Sequence, residues 1–196
     1  MSFLFVATHL YAGGSILIDC MSENERIKSC GHTGFIYHSP PDLISLKERI
    51  NKSKPTSGIT YVDELVYNSQ IASKHFYNYC KWIYLIREPE STLKYLVKKY
   101  TPENAEKYYS FRLRRLCEMA VRTPDALILH YEDIFNGNAI WCIEKYLDLK
   151  INCSKSMVEE EIIDIPRKVL KRATSSWVRY NNFLKSLPVG YRSVRV

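Results

Sequence analysis

FLFVATHLYAGGSILIDCM, residues Phe3 to Met21, is an apolar run that breaks at two glycines and then resumes. Its first part, Ser2 to Ala7, is short and almost continuously apolar, the pattern of a strand covered on both faces. Residues 14 to 24 place Ile16, Leu17, Cys20 and Met21 at helical spacing. The stretch therefore reads as strand, glycine turn and helix. Such a turn presents unpaired backbone N–H groups and the positive end of the helix dipole at the strand's carboxyl end. Gly13 and Gly14 let the main chain approach an anion closely, and Ser15 adds a hydroxyl donor. The fragment does not satisfy GxxxxGK followed by Ser or Thr, and paired glycines also serve ordinary turns. A phosphate cradle and a plain tight turn both stand at this point.

Outward from that unit, strands alternate with helical stretches. Arg26 to Cys30 reads as a second short strand. The loop HSPPD, His38 to Asp42, opens a helix over Leu43 to Ile50. NKSKPTSG, Asn51 to Gly58, is a polar surface loop, and Ile59 to Val66 is ambiguous between strand and helix. KWIYLI, Lys81 to Ile86, has the aromatic and β-branched composition of a buried strand and stops at Arg87. Pro89 and Glu90 then suit the first turn of a helix. Between Asn104 and Thr123 a broad apolar stripe marks a core-facing helix. ALILH, Ala126 to His130, is a further strand, followed by the acidic turn YEDIFNG and a helix over Asn138 to Leu147. The remainder reads as helical up to a basic tail. The expectation is one α/β domain over residues 1–196, with a mostly parallel central sheet flanked by helices and its site at the carboxyl ends of the strands.

Composition narrows the function classes. The 196 residues, 46% hydrophobic, suffice for a sizeable core. A balance of 28 basic against 21 acidic side chains gives +7, a field that favours anionic partners. Fifteen tyrosines could suggest base stacking. Many fall in strands or on helical stripes, so they suit a core and its rim, and nucleic acid is not the expected partner. Six cysteines are scattered without a CxxC pair, so neither a metal site nor a disulfide framework is expected. A secretory leader is excluded by its flanks, since Met1 to Ile18 holds no Lys or Arg and Asp19 directly precedes Cys20. No apolar run approaches the roughly 20 residues needed to span a bilayer. A soluble cytoplasmic protein is expected.

Arg87 is the second anion candidate. It ends the strand KWIYLI, which in a parallel sheet is the same edge as the Gly13–Gly14 turn, and its planar fork suits phosphate. Pairing with Glu88 or Glu90 is the plain alternative. Two such features at strand ends favour a ligand with two anionic groups.

Three segments, in order, resemble PAPS-dependent sulfotransferases. FVATHLYAGGSILIDCM is similar to their 5′-phosphosulfate loop. KWIYLIREPESTLKYL is similar to their 3′-phosphate segment, where a strand ends in Arg-x-Pro, and LILHYEDIF to a later strand ending in Tyr-Glu-Asp-Leu. The resemblance implies a P-loop-like fold and transfer of a sulfuryl group from PAPS to a hydroxyl or phenol acceptor, whether small molecule, sugar or protein tyrosine. It implies that Ala12, Gly13, Gly14, Ser15 and Ile16 hold the 5′-phosphosulfate and Arg87 the 3′-phosphate. Where the family has a Ser eight positions after that Arg, this chain has Tyr95, with Ser91 one turn earlier as a substitute. Where the family has a Lys or Arg two residues before the loop glycine, this chain has Tyr11, which supplies no charge at neutral pH; His9 is the nearby replacement.

For the base that removes the acceptor proton, CGHTGFIY, residues 30 to 37, resembles the Cys-Gly-Glu-Glu stretch of tyrosylprotein sulfotransferases, which points to His32, with His38 and His75 as competitors. Lys171 and Arg172 resemble a basic loop that closes over the 3′-phosphate, or they form a solvated helix face. No metal is required by these motifs. The rival readings are a nucleotide-binding descendant without turnover and a P-loop phosphotransferase, although the loop lacks the lysine that the latter needs.

Overall fold

The computed structural model describes residues 2–31, 34–50, 58–71, 73–153, 163–187 and 191–192. Its elements run β1 (Ser2–Thr8), α1 (Gly14–Ser22), β2 (Ile27–Ser29), α2 (Pro41–Ile50), β3 (Thr60–Leu65), α3 (Phe76–Tyr79), β4 (Lys81–Ile86), α4 (Pro89–Leu96), α5 (Pro102–Ala120), β5 (Leu127–His130), α6 (Glu132–Phe135), α7 (Asn138–Leu147), α8 (Arg167–Ser186) and β6 (Tyr191–Arg192). The fold is α/β, as the alternation of patterns predicts.

All pairings in the six-stranded sheet are parallel, in the order β2-β3-β1-β4-β5-β6. The chain leaves β1 to build β2 and β3 on one side, then crosses to build β4 and β5 on the other. The carboxyl end of β1 thus lies where the winding reverses, the place where open α/β sheets open a crevice.

The alternation of side chains along each strand feeds two cores. Phe3, Phe5, Tyr61, Trp82, Tyr84 and Ile128 point into one, which α2, α4, α5 and α8 cover. Leu4, Val6, Val62, Ile83, Leu85, Leu127 and Leu129 point into the other, which α1, α6 and α7 cover. Burial on both faces explains the near-continuous apolar runs of β1 and β4. It also resolves Ile59 to Val66, whose alternate residues Tyr61 and Val62 enter opposite cores, as a strand.

Local signals set the helix starts. Glu88 caps α4 by accepting from the N–H groups of Glu90 (2.7 Å) and Ser91 (2.6 Å), with Pro89 at the first helical position. Thr101 caps α5 by accepting from Asn104 N–H at 3.4 Å. The acidic turn after β5 contains the short α6.

One expectation is corrected. Cys20, on α1, and Cys153 form a disulfide between Cα atoms 4.7 Å apart and 133 positions apart in sequence. Spacing arguments look for local pairs such as CxxC, and a bond between partners so distant in the chain leaves no such signature. Cys30, Cys80, Cys117 and Cys142 are not in disulfides, and of these Cys117 and Cys142 are buried. Among the described residues, no helix is long and apolar enough to cross a membrane.

Candidate functional site

The ends of β1, β3, β4 and β5 converge on one edge, as parallel pairing requires. Beyond β1 the backbone turns through Tyr11 at φ 64° and Gly13 at φ 84° before α1 starts at Gly14. Ala12 is fully buried, and its N–H donates to His9 O at 3.2 Å. The first helical hydrogen bond runs from Leu17 N–H to Gly13 O at 3.0 Å, so the amides of the first turn of α1 lie outside the helical ladder. The N-cap residue, Gly13, makes no side-chain cap bond to this helix.

Both glycines are required by close approach. A Cβ on Gly13 would fall 2.5 Å from Cδ2 of Tyr131, in a backbone conformation that other residues rarely adopt. A Cβ on Gly14 would collide with the carboxylate of Glu64. Glu64 lies near the end of β3, and its carboxylate against the first turn of α1 is favoured by the helix dipole. It is a functional candidate that sequence reasoning missed. The signal that could have found it is the acidic pair Asp63-Glu64 at the tip of a buried strand.

The structure brings Arg87 to this loop. Its Nη1 donates to the Tyr11 carbonyl at 3.1 Å, and its guanidinium lies 3.9 Å from the Tyr131 ring centroid and 5.6 Å from that of Tyr95. Tyr95 in turn stacks on Tyr11, with centroids 5.5 Å apart and planes at 25°. Arg87 is only 4% exposed. Glu88 serves as the α4 cap, and Glu90 pairs with Lys94 at 3.6 Å. Ser91 stands on the first turn of α4, partly exposed.

His9 is fully buried, with its ring edge-on to Tyr109. Its Nε2 accepts from Arg87 N–H at 3.1 Å, and Nδ1, 3.0 Å from the Leu10 carbonyl, must then carry the proton. Loss of hydration lowers its pKa to about 4, so at neutral pH it is uncharged and ties the end of β1 to the end of β4. Tyr109 extends this tie by donating to the Arg87 carbonyl at 2.9 Å.

Arg112, on α5 and 1% exposed, binds the same edge from below. Its Nε donates to Thr8 O at 2.8 Å, Nη1 to Asn68 Oδ1 at 2.9 Å and Nη2 to Leu65 O. Burial lowers its pKa to about 10, which leaves it charged at neutral pH.

The remaining expected residues lie elsewhere or outside description. His32 falls outside the described residues, while His38 and His75 are exposed. Lys171 and Arg172 lie within the regular helix α8, where Arg172 pairs with Glu106 at 3.3 Å and Lys171 lines a groove of about 1080 Å³ on the outer face. That groove contains none of the loop residues. Among the described residues, no cluster of three or more His, Cys, Asp or Glu side chains could hold a metal.

No family model matches the chain, and no curated protein does. Solved structures do match. The sulfotransferase from Alicyclobacillus acidocaldarius superposes with a TM-score of 0.57 over 96% of this chain and 96% of its own, at 12% identity. The sulfotransferase fold is therefore the fold of this chain. Mouse sulfotransferase SULT7A1, solved in complex with PAP, matches with a TM-score of 0.50 at 14% identity, covering 95% of this chain and 82% of its own. In this sulfotransferase-fold chain, Gly13, Gly14, Glu64 and Arg87 meet at the reversal point of the sheet.

Proposed function

We propose that the chain binds PAPS at this edge and transfers its sulfuryl group to a hydroxyl or phenol acceptor. The observation that carries the reading is the Arg87 Nη1 contact to the Tyr11 carbonyl, which puts a guanidinium beside the glycine loop. The cradle suits an anion, because neither glycine position has room for a side chain and the N-cap residue Gly13 brings no side chain of its own to the first-turn amides of α1. Solution of the mouse protein of the same fold with PAP supports the choice of ligand.

In this reading the residues from Ala12 to Ile16 hold the 5′ end. Gly14, Ser15 and Ile16 offer amides and Ser15 also a hydroxyl, while the buried Ala12 shapes the turn. Arg87, with Ser91 on α4, holds the 3′-phosphate. Lys171 and Arg172 add positive charge from α8. When bound, the donor supplies an activated sulfuryl group, and the chain contributes positioning and a preorganised field. Glu64 is the base of choice, with a carboxylate oxygen beside Gly14 to receive the acceptor proton. His32 is the alternative base from the sequence.

Calorimetry with adenosine 3′,5′-bisphosphate tests the binding step. Wild type should bind, and Arg87→Ala should weaken binding by about a hundredfold, the scale of charge-assisted hydrogen bonds. Absence of binding by the wild type overturns the proposal. For turnover, Glu64→Gln should lower the rate by about a hundredfold or more without weakening bisphosphate binding.

A second reading, nucleotide binding without transfer, is favoured by one observation. Tyr11 carries no charge, and the neutral, buried His9 does not replace the missing cation. Binding without sulfate transfer across a broad acceptor panel would select it. A P-loop phosphotransferase gains a carboxylate in Glu64 but still lacks the loop lysine, and magnesium-dependent ATP binding would select that reading.

The cytoplasmic location expected from the sequence goes with reduced thiols, whereas a Cys20–Cys153 bond goes with an oxidising compartment. Thiol trapping on protein taken from its native cell distinguishes the two.

A further inference from the structure

The surroundings of Arg87 set a condition on how a phosphate could reach it. Its guanidinium rests on Tyr131 on one side and neighbours the Tyr95 ring on another, and only 4% of the residue is exposed. The Tyr95 ring is itself backed by Tyr11, and Lys98 Nζ lies 5.4 Å from the same ring. Tyr11, the outer partner, is 42% exposed and held at φ 64°. A side chain other than glycine occupies that region at a cost of order 1–3 kcal/mol. The same strained residue presents the carbonyl that Arg87 holds.

We infer that Tyr11 and Tyr95 form an aromatic gate over Arg87 and thereby set which nucleotide the crevice prefers. The inference rests on the bisphosphate reading of this edge. With the rings stacked, a ligand can reach the first-turn amides of α1 while its second phosphate is kept from the guanidinium. Only the fraction of molecules with the rings parted accepts both groups, so the apparent affinity for the bisphosphate falls by that fraction, whereas a 5′-monophosphate is unaffected. Parting the rings leaves two cations, Arg87 and Lys98, beside the vacated place.

Calorimetry with adenosine 3′,5′-bisphosphate and with adenosine 5′-monophosphate tests this on wild type, Arg87→Ala and three gate variants. Tyr95→Ser removes the inner ring. Tyr11→Gly removes the outer ring and suits the positive φ, so it reports independently should Tyr95→Ser fold poorly. Both should tighten bisphosphate binding by about tenfold while monophosphate affinity stays within about twofold, the signature of a freed competent state. Tyr95→Phe keeps the ring and should match the wild type toward both ligands.

Bisphosphate binding that is unchanged or weakened in Tyr95→Ser and Tyr11→Gly overturns the gate, as does equal tightening of both nucleotides. Weakening by Tyr95→Phe identifies the hydroxyl as a phosphate ligand and also overturns it. The wild-type and Arg87→Ala arms report on the bisphosphate reading itself. If those two bind the bisphosphate equally, that reading fails and the gate fails with it. If they differ while the tyrosine variants do nothing, the gate alone fails.

Discussion

Two regions of this molecule carry positive charge, and they handle it in opposite ways. At the strand-end edge, Arg87 and Arg112 are 4% and 1% exposed; Nη1 of Arg87 and Nε and Nη2 of Arg112 donate to backbone carbonyls of the β1 and β3 ends and the loop after β1, and Nη1 of Arg112 to the Asn68 side chain. On the outer face of α8, Lys171, Arg172 and Arg179 stand in solvent, and Arg172 reaches from there to the largely buried Glu106. Net charge makes no distinction between these regions, but burial does. A desolvated guanidinium persists only where carbonyls and rings are fixed around it, so its presence implies a rigid, preorganised edge. A solvated lysine on a helix implies no such order around it.

The largest effect that separates the regions concerns Arg112. Arg112→Met keeps the bulk but leaves the carbonyls of Thr8 and Leu65 without this donor, and should lower unfolding free energy by about 3–5 kcal/mol in urea melts. A loss below about 1 kcal/mol would break the comparison, since the buried charge would then be energetically like a surface one.

Next comes the acid dependence of His9. Its pKa is 6.5 when unfolded and about 4 when folded, so between these values the unfolded chain binds the extra proton. The contribution is fully present above the unfolded value and is lost as pH falls through the folded one. The loss should reach roughly 3 kcal/mol near pH 4. Denaturant melts of wild type and His9→Gln across that window check the sign, because the variant should show a shallower acid slope. The smallest effect belongs to α8, where Lys171→Ala and Arg179→Ala should each shift stability by no more than about 0.5 kcal/mol.

The contrast also explains what could be read in advance. Most of the fold was legible because strands buried on both faces must be apolar throughout, as in FLFVA and KWIYLI, and because Pro89 and Gly13 mark helix starts. The two glycines and Arg87 were legible because parallel strands put successive carboxyl ends on one edge. Glu64 was not, because a carboxylate at a strand tip acquires meaning only once β3 lies beside β1. His9 reads as a possible cation in sequence, and only packing against Tyr109 and the Arg87 amide makes it neutral. Arg112 looks like any polar residue of an amphipathic helix. Its role depends on carbonyls 104 and 47 positions away. The Cys20–Cys153 bond is equally non-local.

The central claim is that first-turn amides of α1 and the Arg87 guanidinium grip one ligand. Titration of isotopically labelled protein with adenosine 3′,5′-bisphosphate, followed through the amides of Gly14, Ser15 and Ile16 and through Arg87 Nε–H, tests it directly. All four resonances should shift together along one saturating curve. Saturation that moves the loop amides while Arg87 stays still, or shifts that gather on α8 instead, would contradict the account.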